Sequence, residues 1–206
     1  MHVQGKLRAG EGLRARKKRA TRDRLVSVAL ELCASSGFAT TTVESIAEAA
    51  DVSTRTFFHY FSTKQDVFLG HEHDLLAGLV ADVERAPRTQ PAASALWDAI
   101  EALAKRFDDD AEQLRPLYAL VVAEPSLHRR SLELQVTWEH ELANALVPRL
   151  SGRGRQDRAY VLAATALACL RTNARQWATQ SNHRPLQHAV RATRRSLFDD
   201  LNKLAI

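Results

Sequence analysis

Little in this sequence stops helices or staples a small fold. Among 206 residues there are 8 glycines, 6 prolines and 2 cysteines. Cys33 and Cys169 stand far apart, in no CxxC or Cys/His ligand spacing. A disulfide framework and a zinc module are thereby excluded, and a reducing, cytoplasmic setting is the simplest expectation. No apolar run reaches the roughly 18 residues that a membrane span requires. The N-terminus is basic but lacks the apolar stretch of a secretory signal. There is no phosphate-binding P-loop, no GxGxxG after a strand and no GxSxG. His71-Glu72-His73-Asp74 comes nearest to a metal motif. A zincin HExxH would need its second histidine where Leu75 stands, and positions 71 and 73 point apart on a helix. No catalytic residue, metal or cofactor is expected.

What the chain does have is charge at one end and helical periodicity throughout. Nine Lys/Arg against two acids occupy Met1 to Arg24, while from Asp66 onward the signs nearly cancel. A basic arm on a nearly neutral body points to contact with a polyanion through one end. No alternating strand pattern is found, so the chain reads as all-α, with about nine helices.

The first helix is predicted over Arg19 to Ser35, with Leu25, Val28, Ala29, Leu32 and Cys33 on one face. Gly37 is expected as its left-handed C-cap, followed by Phe38. Thr41 or Thr42 caps a short second helix, with Glu44 completing a capping box. That helix buries Val43, Ile46, Ala47 and Ala50. Asp51-Val52 is a tight turn, and Ser53 caps a short third helix. Thr63 caps a longer fourth helix reaching about Glu84. A loop over Ala86 to Pro91 leads to helix five, about Ala93 to Phe107, broken by Asp108-Asp109-Asp110. Pro116 marks an early turn or a kink in helix six. Pro125 opens helix seven, to about Val147. After the Ser151–Gly154 loop come helix eight, Asp157 to Thr179, and helix nine, Pro185 to Leu204.

Aromatics make up only 6% of the chain, yet Phe57, Phe58, Tyr60 and Phe61 crowd into residues 52 to 64, VSTRTFFHYFSTK. Helices of about nine residues are not stable alone. Phe57 and Phe61, spaced i, i+4, suit packing on helices one and two. Thr54, Arg55, Phe58 and His59 turn to another face. A short helix glued on one side and polar at its exposed N-terminal end, joined to another by a tight turn, is the plan of a helix-turn-helix that enters the DNA major groove.

The stretch TTVESIAEAADVSTRTFFHYFSTKQDVF, Thr41 to Phe68, with SSGF before it, resembles the TetR family of bacterial transcriptional regulators. The likeness covers about the first 70 residues. It implies an N-terminal three-helix DNA-binding domain over 19–65, after a basic flexible arm over 1–18. It also implies a larger helical ligand-binding and dimerisation domain over 66–206. By position, Thr42 resembles the helix-two cap that touches a phosphate. Ser53, Thr54, Arg55 and Thr56 resemble the major-groove end of the recognition helix, while Tyr60 and Lys64 resemble backbone-phosphate contacts. Arginine can pair bidentately with guanine, and threonine methyls can touch thymine. Hydroxyls and a lysine grip phosphate without reading sequence. Arg14, Arg16, Lys17, Lys18 and Arg19 would follow the backbone or enter the minor groove. Two positions depart from the family pattern: Asp51 replaces the usual turn glycine, and Phe58 replaces a tyrosine.

The resemblance further implies a small-molecule pocket among helices four to seven, and a bundle of helices eight and nine with those of a second subunit. Candidate pocket residues are Leu103, Phe107, Leu117, Tyr118, Val121, Trp138, Leu142 and Trp177. The polar groups among them are His71, Asn173 and Arg175. Candidate dimer residues are Ala163, Ala166 and Leu170 on helix eight, and Val190, Thr193, Leu197 and Leu201 on helix nine. The expected partners are an operator duplex, a mostly apolar effector and a second copy of the chain, with no membrane. The expected activity is that of a repressor on a palindromic operator. Two rivals are weighed. An enzyme has no motif to support it, and a non-specific architectural DNA binder would not need so large an apolar body.

Overall fold

A computed structural model describes residues 12–70, 72–180 and 184–204. Among these residues the chain forms ten α-helices and no strand. It divides into two compact units, Met1–Gly70 and His71–Ile206.

In the first unit, α1 spans Leu13–Ser36, α2 Val43–Ala49, α3 Thr54–Tyr60 and α4 Lys64–Phe68. The first helix starts six residues before the expected Arg19, so Arg14, Arg16, Lys17 and Lys18 are exposed residues of a helix and not a flexible arm. The run LRARKKRA has no Gly, Pro or β-branched residue, and each of its members is a strong helix former. Gly37 ends α1 with a φ of 88°, and its N–H reaches Cys33 O at 2.8 Å.

Seven-residue helices have no independent stability. Here α2 and α3 are held by Leu25, Ala29, Ile46, Ala47, Phe57 and Phe61, all buried. Complete burial of Phe57 alone contributes about 2–3 kcal/mol. Each helix is also capped locally. Thr42 and Ser45 form a reciprocal capping box at 3.0 and 3.1 Å, so Ser45 fills the role expected of Glu44. Val43 is only half-buried. Thr63 and Asp66 form the same box on α4, at 3.0 and 3.2 Å.

The long fourth helix of the sequence reading is two elements, α4 and α5 (Glu72–Arg85). The reason lies at Gly70. A Cβ there would stand 2.9 Å from the Phe61 ring and 3.3 Å from Val26, so the position is tied to glycine. Glycine in turn weakens helix continuation.

The second unit adds α6 (Ala92–Asp109), α7 (Ala111–Ala123), α8 (Pro125–Leu146), a 3-10 turn at Val147–Arg149, α9 (Arg155–Thr179) and α10 (Leu186–Leu204). The core is centred on α9, which packs against α6, α7, α8 and α10. Alanine at 159, 163 and 166, each fully buried, lets those helices approach closely. Pro116 sits within α7, and Pro125 opens α8. Two polar side chains tie distant segments. The Arg149 guanidinium donates to Val83 O at 2.7 Å and Pro87 O at 2.9 Å, closing the C-terminus of α5. The Asp108 carboxylate accepts from Leu186 N at 2.7 Å and Gln187 N at 2.9 Å, capping α10.

This packing covers four of the expected dimer residues with their own chain. Ala163, Ala166, Leu170 and Val190 lie inside the single chain, at most 7% exposed. Thr193 exchanges hydrogen bonds with Asn173 of α9 at 3.1 and 3.2 Å. Leu197 is half-buried, and the Leu201 side chain lies outside the described residues. The alanine face of α9 is a core face because small residues are what a helix surrounded by four others requires.

Candidate nucleic-acid interface and a cavity in the C-terminal unit

The turn between α2 and α3 is made by Asp51, whose φ of 56° is the single positive value at a non-glycine residue described. Aspartate accepts this region better than most side chains. Val52 N then reaches Ala47 O at 3.0 Å, and Ser53 starts α3. Ser53 Oγ accepts from Thr56 N at 3.0 Å and lies 2.9 Å from Thr56 Oγ1. The Ser53 and Thr56 hydroxyls are therefore joined to each other as a cap.

The buried and exposed sides of α3 separate cleanly. Phe57 is fully buried and Phe61 is 4% exposed, with ring centroids 5.7 Å apart. Thr54, Arg55 and His59 are exposed, and Tyr60 is half-buried with its ring edge-on to His59 at 5.4 Å. Phe58, where the family pattern has tyrosine, is 55% exposed and stands edge-on to Phe57 at 5.5 Å.

Lys64 has a second role that sequence reasoning missed. Its ammonium donates to Phe38 O and Thr41 O, both at 2.8 Å, and sits 4.1 Å over the Phe38 ring. It pins the segment between α1 and α2, leaving one of its three N–H donors for an outside acceptor. Thr42 is exposed, and its oxygen accepts from Ser45 N, so its O–H proton remains to be donated.

In the other unit a cavity of about 270 Å³ lies among α6, α7, α8 and α9. Its apolar side is made by Leu103 and Phe107 of α6, Tyr118 and Val121 of α7, Trp138 of α8 and Leu170 of α9. Its polar side is His128, Ser131 and Gln135 of α8, facing Arg171, Thr172 and Arg175 of α9. The Arg171 guanidinium donates to Gln135 Oε1 across the two helices.

Of the pocket residues expected from sequence, Leu103, Phe107, Tyr118, Val121, Trp138 and Arg175 meet here. Leu117 and Leu142 are buried in the core away from the cavity. Asn173 turns instead to Thr193 and to Cys169 O at 2.8 Å. The Cys169 thiol beside it is pushed up in pKa by burial, against a smaller opposing effect of the Asn173 hydrogen bond. Trp177 donates to Asp108 at 3.1 Å and packs behind Phe107, with ring centroids 6.0 Å apart. His71 lies outside the described residues. Leu170, expected at a subunit interface, lines the cavity. The polar stripe of α8 went unread, although its i, i+3, i+7 spacing, continued by Trp138, places it on one helical face.

An exposed, capped helix-turn-helix in one unit and a cavity-bearing helical body in the other define the class of DNA-binding transcription regulators. The family of bacterial regulatory proteins, tetR family, matches residues 25–70. Over 146 residues, the chain is 35% identical to the HTH-type transcriptional regulator TcmR of Streptomyces glaucescens, covering 68% of this chain and 65% of that protein. The match thus spans just under two thirds of the relative's length. The fold is similar to that of Thermus thermophilus FadR, a TetR-family transcriptional repressor solved in complex with lauroyl-CoA. The TM-score is 0.59 at 28% identity, over 86% of this chain and 93% of that one. FadR of Bacillus halodurans shares the fold at 17% identity, with a TM-score of 0.55 over 84% and 91% of the chains. Residues 25–70 thus carry the TetR-family DNA-binding pattern, and over most of its length the chain is similar to TetR-family regulators. No described helix is long and apolar enough to cross a membrane.

Proposed function

We propose that this chain is a ligand-responsive transcriptional repressor of the bacterial cytoplasm, which binds a palindromic operator as a homodimer and is released by a small, mostly apolar effector. The observation that carries the reading is the two-sidedness of α3: Phe57 fully buried, with Thr54, Arg55, Phe58 and His59 facing solvent from a Ser53-capped N-terminus. In this reading Thr54 and Arg55 read bases, with Ser53 and Thr56 shaping the cap beside them. Thr42, Tyr60 and the remaining Lys64 donor hold phosphates, and Arg14, Arg16, Lys17 and Lys18 of α1 add further cationic contacts. No chemistry is assigned to the chain, and its relatives' names are those of regulators.

The FadR neighbour, solved with lauroyl-CoA, supports a small-molecule role for the helical body. Ligand in the cavity would stabilise an arrangement in which the two recognition helices of a dimer no longer match successive major grooves. DNA and ligand then oppose each other through one coupling free energy, equal in both directions.

The test is competition binding to duplexes from the gene's own upstream region against scrambled DNA. Wild type should prefer the native sequence by about a thousandfold or more. Arg55→Ala should lose roughly 1–3 kcal/mol of that preference, with non-specific binding little changed. Equal binding to both duplexes across the upstream region, unmoved by the substitution, would remove the reading.

A further inference from the structure

We infer that the cavity of the C-terminal unit is built for an organic acid. An apolar or aromatic body would lie against Phe107, Val121 and Leu170, and a carboxylate or phosphate would be held by Arg171 and Arg175. The inference rests on reading this cavity as the effector site, and it names the chemical class of the effector.

The charge of the lining is one-sided. Two arginines and a histidine face the cavity, and among the described residues no aspartate or glutamate does. The two arginines are one helical turn apart, so their guanidiniums can converge on one group from the same edge of α9.

Four other arginines of this unit serve partners within the protein. Arg191 and Arg194 share Glu101 at 2.6 and 3.0 Å, Arg106 pairs with Asp82 at 3.1 Å, and Arg149 serves backbone carbonyls. Among the described residues neither Arg171 nor Arg175 has a carboxylate partner. Arg171 is instead held by the neutral Gln135 of the facing helix, which fixes its position and leaves most of its five N–H donors unused. A guanidinium fixed by an amide beside an apolar cavity is a preorganised half of a fork-to-carboxylate pair. Ser131 and Thr172 add hydroxyls beside the same edge, able to donate to the anion or to an oxygen on the ligand body.

The apolar walls would bind a neutral molecule and its acid alike, so selectivity must come from the arginines. Both are exposed to solvent, which screens them, so the expected gain is on the order of tenfold rather than the thousandfold of a dry site.

The experiment titrates the folded full-length chain with decanoate, decyl phosphate and decanol below their micelle concentrations, and with naphthoate and naphthol. The readout is tryptophan fluorescence, because Trp138 lines the cavity. Wild type, Arg171→Gln, Arg175→Gln and the double variant are compared with Arg153→Gln in an exposed loop. Thermal melts check that each is folded. The acids should bind at least about tenfold more tightly than the alcohol or naphthol of the same body. The double variant should erase the difference while leaving the neutral compounds unchanged, and Arg153→Gln should behave as wild type. The carboxylate and phosphate arms show which anion the pair prefers. If acid and neutral compounds bind alike, or the double variant keeps the preference, the acid subsite is wrong while the apolar effector reading stands. If no compound of either body shape binds the folded protein, both readings fall.

Discussion

At the scale of single residues, Asp108 and Lys64 show one charged group organising segments far apart in sequence. In the DDD run, Asp110 is the N-cap of α7 yet makes no side-chain cap bond. Asp108 instead accepts from two N–H groups at the start of α10 and from the Trp177 indole. The negative group sits where the helix dipole favours it, and it satisfies two orphan donors at once. Asp108→Ala should therefore cost about 2–3 kcal/mol, more than an ordinary cap, because the Trp177 N–H is stranded as well. Urea unfolding of the C-terminal unit measures this, and a loss below about 0.5 kcal/mol would show that the carboxylate is idle. Asp108→Asn, which keeps one acceptor oxygen, should fall between. Since Trp177 lies against Phe107, and Phe107 lines the cavity, the same substitution should also alter tryptophan quenching by a bound ligand.

At the scale of elements, the helix-turn-helix is built from pieces too short to stand alone. Helices of seven, seven and five residues persist because each has a side-chain cap and each buries a face, α2 and α4 against α1 and α3 against α2. Ser53→Ala removes the cap of α3 and should destabilise the N-terminal unit by about 1 kcal/mol. It should weaken operator binding by more than its stability cost explains, because Thr54 and Arg55 sit in the first turn that would fray. Parallel loss of DNA affinity and melting temperature, with nothing left over, would place Ser53 in folding alone. The boundary between α4 and α5 belongs to this scale too. Gly70 has no room for a Cβ beside Phe61, and the glycine this requires weakens helix continuation just after α4 ends at Phe68.

At the scale of the whole molecule, the buried alanines of α9 leave another stripe available to a second subunit. Val161 is 61% exposed, and the half-buried Thr165 and Ala168 follow it at i+4 and i+7, opposite the core face of the same helix. These residues are uncharged and small enough for close helix contact, which fits a two-fold interface better than the alanine face does. Val161→Asp should leave the chain folded but monomeric in sedimentation. Its operator binding should fall to that of a single half-site, since one recognition helix per chain cannot span a palindrome. A dimer that survives this substitution would move the interface to another face.

The Ser53 and Thr63 caps, the Asp51 turn and the alternation of buried and exposed positions in α3 were legible from residues alone. Each is set by groups within about four positions of one another, where spacing and side-chain chemistry leave few choices. The same locality made the likeness of Thr41 to Phe68 to a known family readable. Contacts across long separations were not legible. Lys64 reaches carbonyls 23 and 26 positions away, Arg149 one 66 away, and Asp108 amides 78 and 79 away. A periodic apolar face says that something covers it and not what does. Ala163, Ala166, Leu170 and Val190 looked the same whether a second subunit or their own chain covered them. The fold decided for their own chain, because α9 is surrounded. It also turned Asn173 toward α10 and brought Arg171 and Arg175 against the stripe of α8.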